Sequence, residues 1–219
     1  MANYIGIDLG TTFSAVATLD ETGRAVIVHN QEGENLTPSV VSFLEGDRVD
    51  VGESARRTLG VDPNTIGRFK RDMGTSEPLP DSYTARGVEH TPTALSALVL
   101  KKLKDDAIKA LQHIEEAVVT IPANFANEAR EATMHAAKLA GLNVKYIINE
   151  PTAAALFYAS KKGEELSGKY AVYDLGGGTF DISIINVSGQ NVEVVATNGA
   201  SKLGGDDFDV AIVEQLIVL

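Results

Sequence analysis

Apolar and polar residues alternate in three short segments at the start of the chain. The alternation predicts strands over Tyr4–Leu9, Ser14–Leu19 and Ala25–Val28, because residues two apart share one face of a strand. Only a few turn residues separate these segments, so we predict an antiparallel meander. Thr37-Pro38 then leads into a fourth predicted strand, Val40–Phe43.

Helical and strand-like patterns alternate through the rest of the chain. Thr91-Pro92 is typical of a helix start, with Thr as N-cap and Pro in the first turn, and apolar residues keep helical spacing to Leu111. Strand, helix, strand, helix after a meander favours an α/β sheet covered by helices. Two further short helices are predicted at Glu53–Leu59 and Asn64–Lys70. Three more helices are predicted: one capped by Asn127 and ended by Gly141, one that begins at Pro151, and one from Asp206 to the end. The other predicted strands are Ala117–Ile121, Val144–Ile148 and Val192–Thr197.

The N-terminal pattern recurs later in the chain. A shift of 166 positions brings Asp8 onto Asp174 and Gly10 onto Gly176, within the segment AVYDLGGGTFDISII (171–185), without a gap. Two copies of Asp-Leu-Gly in the same three-strand context predict two similar meanders facing each other across a cleft. Glycine lets backbone N–H groups approach a bound anion closely. An Asp beside a phosphate implies a cation between them, and Mg²⁺ suits such a position.

Composition and charge narrow the functional classes. The chain has 219 residues, a formal charge of -11 and no cysteine. The acidic balance argues against nucleic acid and anionic membrane surfaces as partners, and the absence of cysteine excludes disulfides and thiolate zinc sites. The start MANYIGIDLG lacks a secretory pattern, and no apolar run is long enough for a membrane helix, so we expect a cytoplasmic protein. Its four His match no metal spacing, and the P-loop, Rossmann, zinc-protease and serine-hydrolase motifs are missing from the sequence.

Four segments together carry a family resemblance: IGIDLGTTFS, INEPTAAA, YDLGGGTFDIS and LGGDDFD. In this order they resemble the nucleotide-binding domain of the DnaK-type seventy-kilodalton heat-shock chaperones. The resemblance implies the actin-like, ribonuclease-H-like ATPase fold of α/β class, with ATP or ADP, Mg²⁺ and K⁺ as cofactors. It also implies ATP hydrolysis that controls the binding of unfolded peptides, with a J-domain co-chaperone and a nucleotide-exchange factor as partners. The short segment at 70–90, with FKRDMGT and LSALVLKKLKDDA, is more similar to a short or specialised Hsc-type homologue.

The resemblance also assigns roles to single residues. It implies that Lys70 reaches the γ-phosphate, that Glu150 lies near the attacking water, and that Thr179 or Glu150 orients this water. It implies two phosphate hairpins, one formed by Gly10, Thr11 and Thr12 and the other by Gly176, Gly177, Gly178 and Thr179. It implies that Asp8 and Asp174 hold Mg²⁺ and that Asp174 and Asp181 help to bind K⁺. It also implies that Pro122 and Arg130 form a relay that couples nucleotide state to peptide binding.

Two departures and the chain end qualify the comparison. Phe13 replaces the Tyr or Asn common in the family, and Asn124 stands where an aromatic residue is usual. We expect residues 1–168 to form the first lobe, with an insertion at about 39–90, and residues 169–219 to begin a second lobe. The uncapped apolar helix Val213–Leu219 suggests truncation, so we expect weak or no turnover from the isolated chain.

Two other functions stay open at this point. An actin-like cell-shape protein of the same fold would polymerise with nucleotide, and light scattering would detect it. A non-catalytic fragment would carry both hairpins without the rest of the second lobe, and its affinity for ATP would be weaker than that of a two-lobe domain.

Overall fold

The computed structural model describes residues 4–75, 83–162, 166–189 and 191–217. In chain order the strands are β1 (Tyr4–Asp8), β2 (Phe13–Leu19), β3 (Ala25–Ile27), β4 (Thr37–Pro38), β5 (Val40–Phe43), β6 (Val49–Val51), β7 (Thr65–Gly67), β8 (Thr84–Ala85), β9 (Val88–Glu89), β10 (Glu116–Ile121), β11 (Val144–Asn149), β12 (Ser167–Leu175), β13 (Phe180–Ser188) and β14 (Asn191–Ala200). The helices are α1 (Glu53–Arg56), α2 (Pro92–Leu111), α3 (Asn127–Leu139), α4 (Glu150–Lys162) and α5 (Gly205–Ile217), with a 3₁₀ helix at Phe69–Asp72.

The chain divides into two compact units. The first contains Met1–Val119 and Ala126–Ile147, and the second contains Thr120–Phe125 and Ile148–Leu219. The predicted lobe boundary at 168/169 stays a prediction.

A mixed sheet organises the first unit. Its strands run in the order β11-β10-β1-β2-β3, with β4 pairing to β2. Strand β1 pairs in parallel with β10 and antiparallel with β2, and β2 pairs antiparallel with β3, which confirms the predicted meander. Alternate residues of β1 and β10 are buried, and α2 adds four buried side chains to this core: Leu95, Val99, Leu100 and Leu103.

The start of α2 follows from its sequence. Thr91 is the N-cap, and its hydroxyl accepts a hydrogen bond from the Ala94 N–H at 3.1 Å. Pro92 occupies the first turn, where its missing N–H costs nothing. The predicted helix to Leu111 is confirmed, and it packs along α3.

Charged side chains fix α2 to the segment that follows β3. The Lys102 ammonium contacts Asp106 at 2.7 Å and Glu32 at 3.0 Å. Asp106 is only 4% exposed, and it also accepts a hydrogen bond from the Gln31 amide at 2.5 Å. Burial opposes the charge on Lys102, but both carboxylates outweigh it and raise the pKa of Lys102.

The small region after β4 departs most from the sequence prediction. The helix predicted at Asn64–Lys70 is wrong: Thr65–Gly67 forms strand β7, which pairs antiparallel with β5. Arg68 follows with a φ of 63°, and this left-handed conformation separates β7 from the 3₁₀ helix. The helix predicted at Glu53–Leu59 exists as the shorter α1.

The ends of α3 agree in part with the sequence. Asn127 is the first residue of the helix, and Ala126 is its N-cap without a side-chain hydrogen bond, so the predicted Asn127 cap is wrong. Gly141 follows the helix end as predicted. Its N–H bonds the Lys138 carbonyl at 3.0 Å, while the Leu142 N–H bonds that of Ala137 at 3.0 Å, a typical helix termination.

The second unit contains the second meander. Its antiparallel sheet has the order β12-β13-β14, and α4 packs on it over a core of Ala155, Leu166, Ile185 and Val187. The predicted helix from Asp206 is observed as α5, and residues 218 and 219 lie outside the described residues. No helix in the described ranges is long and apolar enough to cross a membrane.

The repeat is present in three dimensions. Asp8 lies opposite Ala15 in β1 and β2, and Asp174 lies opposite Asp181 in β12 and β13. Because Ala15 and Asp181 also correspond under the 166-residue shift, the first hairpin of each meander has the same register. The second pairing diverges, with a register shift between Ile184 and Ile185.

Candidate functional site

The first candidate hairpin connects β1 to β2 and contains Gly10, Thr11 and Thr12. The Gly10 N–H donates to the Ser14 hydroxyl at 3.2 Å, and the Ser39 hydroxyl donates to the Gly10 carbonyl at 2.7 Å. The two hydroxyl oxygens are 2.9 Å apart. Since each hydroxyl has one proton, Ser14 must donate to Ser39. The four groups therefore form a closed ring of hydrogen bonds around one glycine.

Ser39 contacts this hairpin a second time through its backbone. The Ser39 N–H donates to the Thr12 carbonyl at 2.9 Å, and Ser39 is 1% exposed. Two carbonyls of the hairpin are thus bonded to Ser39. The N–H groups of Thr11 and Thr12 have no acceptor among the described residues. The buried Thr12 hydroxyl likewise has no partner in the part of the chain that the structure describes.

The second candidate hairpin connects β12 to β13 and contains Gly176 to Thr179. The Gly176 N–H donates to the Thr179 carbonyl at 2.9 Å and closes the turn. The N–H groups of Gly178 and Thr179 find no acceptor within the described ranges. Both hairpins therefore present two consecutive backbone donors, which is the arrangement of an anion-binding nest.

The start of α5 fixes the second hairpin. The Gly205 N–H donates to the Gly176 carbonyl at 3.0 Å, and the Asp206 N–H donates to the Gly177 carbonyl at 2.8 Å. Gly204 packs so closely that a Cβ there would lie 2.5 Å from the Gly177 carbonyl carbon. First-turn N–H groups, which lack partners inside a helix, thus bond to the carbonyls of the hairpin.

Asp207 completes the start of α5. Its Oδ2 accepts a hydrogen bond from the Gly204 N–H at 2.8 Å, as the third residue of a capping box does. This hydrogen bond satisfies a backbone donor at the start of the helix that the sequence predicted from Asp206.

The candidate cation-binding carboxylates occupy the strand ends next to the hairpins. Asp8 is the last residue of β1 and is exposed. Asp174 is half-buried in β12, and Asp181, directly opposite in β13, is 4% exposed. Like charges directly opposite each other on a sheet repel, so a cation bound near this pair would stabilise it.

Lys70 lies in the first unit on the 3₁₀ helix Phe69–Asp72. It is 6% exposed, although lysine is rarely so buried. Glu150 is half-buried and begins α4 in the second unit, where a carboxylate interacts favourably with the helix dipole.

Of the predicted coupling residues, Pro122 lies in the second unit and Arg130 in the first. Pro122 is buried directly after β10, and its carbonyl accepts a hydrogen bond from the Phe125 N–H at 3.3 Å. Arg130 is in the first turns of α3 and is half-buried.

Sequence reasoning missed Ser39, Gly204 and Gly205. Ser39 acts on a hairpin 29 residues away, and no local pattern indicates such a contact. For the glycines a signal existed, since LGGDDFD was among the motifs that carried the resemblance.

The donor set fits a phosphate with Mg²⁺. The buried Thr12 hydroxyl and the backbone donors of both hairpins suit phosphate oxygens. Within the described residues no cluster of three or more acidic or histidine side chains could hold a metal directly. Mg²⁺ usually keeps several waters and binds one or two carboxylates plus substrate phosphates, so single carboxylates beside phosphate hairpins suit it.

Comparison with known families adds one finding. The family described as Hsp70 protein matches residues 4–218, nearly the whole chain. The α/β content and the mixed sheet agree with this match, and the predicted actin-like ATPase fold is confirmed. Proteins of this family are chaperone ATPases of the stress response, which bind ATP or ADP with Mg²⁺ and generally work with peptides, J-domain proteins and exchange factors. The chain belongs to the Hsp70 family, and its residues are part of the nucleotide-binding domain of that family.

Proposed function

We propose that this chain binds the phosphates of ATP or ADP, with Mg²⁺, through its two hairpins. The observation that carries the proposal is their common design: in each, two consecutive N–H groups have no acceptor among the described residues while neighbouring carbonyls are bonded elsewhere. The proposed phosphate contacts are Gly10, Thr11 and Thr12 in the first hairpin, and Gly176, Gly177, Gly178 and Thr179 in the second.

The carboxylates would hold the cations. Asp8 and Asp174 would bind Mg²⁺, largely through its waters, and Mg²⁺ would neutralise charge on the phosphates. Asp174 and Asp181, opposite each other on the sheet, would bind K⁺ together with nearby main-chain oxygens.

Hydrolysis in the complete protein would depend on positioning and charge. Phosphoryl transfer needs charge stabilisation and alignment more than covalent help. Lys70 would place an ammonium on the γ-phosphate, and Glu150 or Thr179 would orient the attacking water.

We further propose that the complete protein is a cytoplasmic chaperone of DnaK type, close to the short Hsc-type forms. Pro122 and Arg130 would couple nucleotide state to a peptide-binding domain. A J-domain protein would stimulate hydrolysis, and an exchange factor would release ADP.

The test is Lys70→Ala in the complete protein. We expect ADP affinity to stay within about twofold and single-turnover ATP hydrolysis to fall on the order of 10²–10³. Lys138→Ala is the matched control, because Lys138 is exposed on the last turn of α3. Unchanged hydrolysis in Lys70→Ala would refute the role of this residue. Titration of the 219-residue chain with ADP and Mg²⁺ by calorimetry tests whether the hairpins suffice for binding.

A further inference from the structure

The helix that carries Lys70 is too short to fix its own position. It has four residues, Phe69–Asp72, and Arg68 before it has a left-handed backbone. Short 3₁₀ helices have poor hydrogen-bond geometry and little intrinsic stability. The direction of Lys70 therefore depends on contacts made from outside the helix.

A buried phenol supplies one such contact at the end of the helix. The Tyr83 hydroxyl donates to Asp72 Oδ2 at 2.6 Å, and Tyr83 is 4% exposed. Burial, the hydrogen bond to Asp72 and the charge of this carboxylate raise the pKa of the Tyr83 hydroxyl well above its ordinary value. The phenol is therefore protonated at neutral pH and donates to Asp72.

Tyr83 is itself anchored to the neighbouring strands. The His90 N–H donates to the Tyr83 carbonyl at 2.9 Å. The His90 ring stacks on Phe43 of β5, with centroids 4.0 Å apart. The phenol therefore links the Lys70 helix to the small sheet that contains β5.

Asp72 is also held through its backbone, and the next residues pack tightly. The Thr75 hydroxyl donates to the Asp72 carbonyl at 2.6 Å. Gly74, with a φ of 74°, lies against the first turn of α3, where a Cβ would overlap the backbone of Ala129. The chain just beyond Asp72 thus has little room to shift.

We propose that the Tyr83–Asp72 hydrogen bond positions Lys70 for its contact with the γ-phosphate. The inference rests on the proposed function of Lys70. Tyr83 and Asp72 act through Lys70 and are positioning residues. Displacement of a stabilising group by about 1 Å can cost up to about 10² in rate. The loss should affect hydrolysis more than nucleotide affinity, because the hairpins would provide most of the binding.

The test compares four variants of the complete protein: Tyr83→Phe, Asp72→Asn, Asp72→Ala and the control Tyr146→Phe. Tyr146 lies on β11 and is 62% exposed. We expect Tyr83→Phe and Asp72→Ala to lower single-turnover hydrolysis about tenfold with ADP affinity within twofold. Asp72→Asn keeps an acceptor oxygen and should retain most of the rate, and Tyr146→Phe should match the wild type.

A second readout does not depend on activity. Amide hydrogen exchange of residues 69–73 should accelerate in Tyr83→Phe and remain unchanged in Tyr146→Phe, both with thermal melts showing a folded protein. Unchanged exchange at 69–73 in Tyr83→Phe would overturn the proposal.

A double variant separates this inference from the function it rests on. In a Lys70→Ala background, Tyr83→Phe should cause no further loss of rate. An equal loss in both backgrounds would show that Tyr83 does not act through Lys70. If Lys70→Ala loses hydrolysis while Tyr83→Phe keeps the wild-type rate, the positioning inference fails and the function of Lys70 stands. If Lys70→Ala keeps the wild-type rate, the proposed role of Lys70 is refuted, and the positioning inference that rests on it is refuted as well.

Discussion

Ser39→Ala should loosen the first hairpin by opening the hydrogen-bond ring around Gly10. The substitution removes the bond to the Gly10 carbonyl at 2.7 Å and the contact with the Ser14 hydroxyl at 2.9 Å. The Ser39 N–H bond to Thr12 would remain, because it belongs to the backbone. The change therefore acts on one part of the hairpin and leaves its sequence intact.

The size of the effect follows from the two lost bonds. Each is worth about 1 kcal/mol net, so Ser39→Ala should lower the free energy of unfolding by about 2 kcal/mol. A ligand that needs the hairpin ordered must then restore part of this order on binding. We expect the Kd for ADP with Mg²⁺ to rise about tenfold, which corresponds to about 1.4 kcal/mol.

Ser42→Ala provides a matched comparison. Ser42 is also buried, at 2% exposed, and accepts a hydrogen bond from the Thr65 hydroxyl at 2.9 Å. It lies on β5 and has no hydrogen bond to either hairpin. Thermal melts should show destabilisation of both variants, while calorimetry should show weaker ADP binding for Ser39→Ala alone. Equal ADP affinity in the two variants would refute the link between the ring and nucleotide binding.

Two further substitutions test other contacts. Gly204→Ala should weaken ADP binding more than tenfold, because its Cβ would press on the Gly177 backbone at 2.5 Å and such overpacking costs about 1–3 kcal/mol. Lys102→Met should lower the free energy of unfolding by about 3 kcal/mol at pH 7, because it leaves the buried Asp106 carboxylate without its cation. The pKa of Lys102 is raised in the folded state. The stabilisation by the Lys102 ammonium is therefore complete below the unfolded pKa of about 10.4 and is lost as pH rises through the folded pKa. The stability difference between Lys102→Met and wild type should consequently shrink at alkaline pH.

Each of these has a control in the chain. Gly6→Ala places a Cβ in β1 where nothing lies within 4 Å, so ADP affinity should not change. Lys101→Met breaks an exposed pair with Asp105 at 2.9 Å, which should cost less than about 0.5 kcal/mol. Denaturation across pH 7–11.5 measures the lysine variants. A Gly204→Ala protein that binds ADP normally, or a Lys102→Met difference that grows with pH, would contradict the reasoning.

The sequence predicted those features that depend on neighbouring residues. The strands of the first meander and the α2 cap at Thr91 follow from patterns within about 20 residues. The match between the two hairpins follows from the recurrence of one such pattern 166 positions later. The helix predicted at Asn64–Lys70 failed because pairing of Thr65–Gly67 with β5 outweighed local preference.

Contacts distant in the sequence explain what was missed at the candidate site. Ser39 reaches Gly10 across 29 positions, and Tyr83 reaches Asp72 across 11. Neither Ser39 nor Tyr83 belongs to a recognisable sequence motif, so their hydrogen-bond partners can be identified only in the folded chain. The roles of Asp8, Asp174, Asp181, Lys70 and Glu150 toward a nucleotide remain predictions.

The two hairpins share a register but are fixed by different chemistry, and this gives them unequal mutational freedom. The first depends on the hydroxyls of Ser14 and Ser39, so one base change in a codon can weaken it. The second depends on main-chain N–H groups of Gly205 and Asp206, which most side-chain substitutions leave in place. We therefore expect substitutions at Ser14 and Ser39 to change the order of the first hairpin in small steps. In the second hairpin, we expect most side-chain substitutions to have little effect, whereas a side chain at Gly204 should disrupt it.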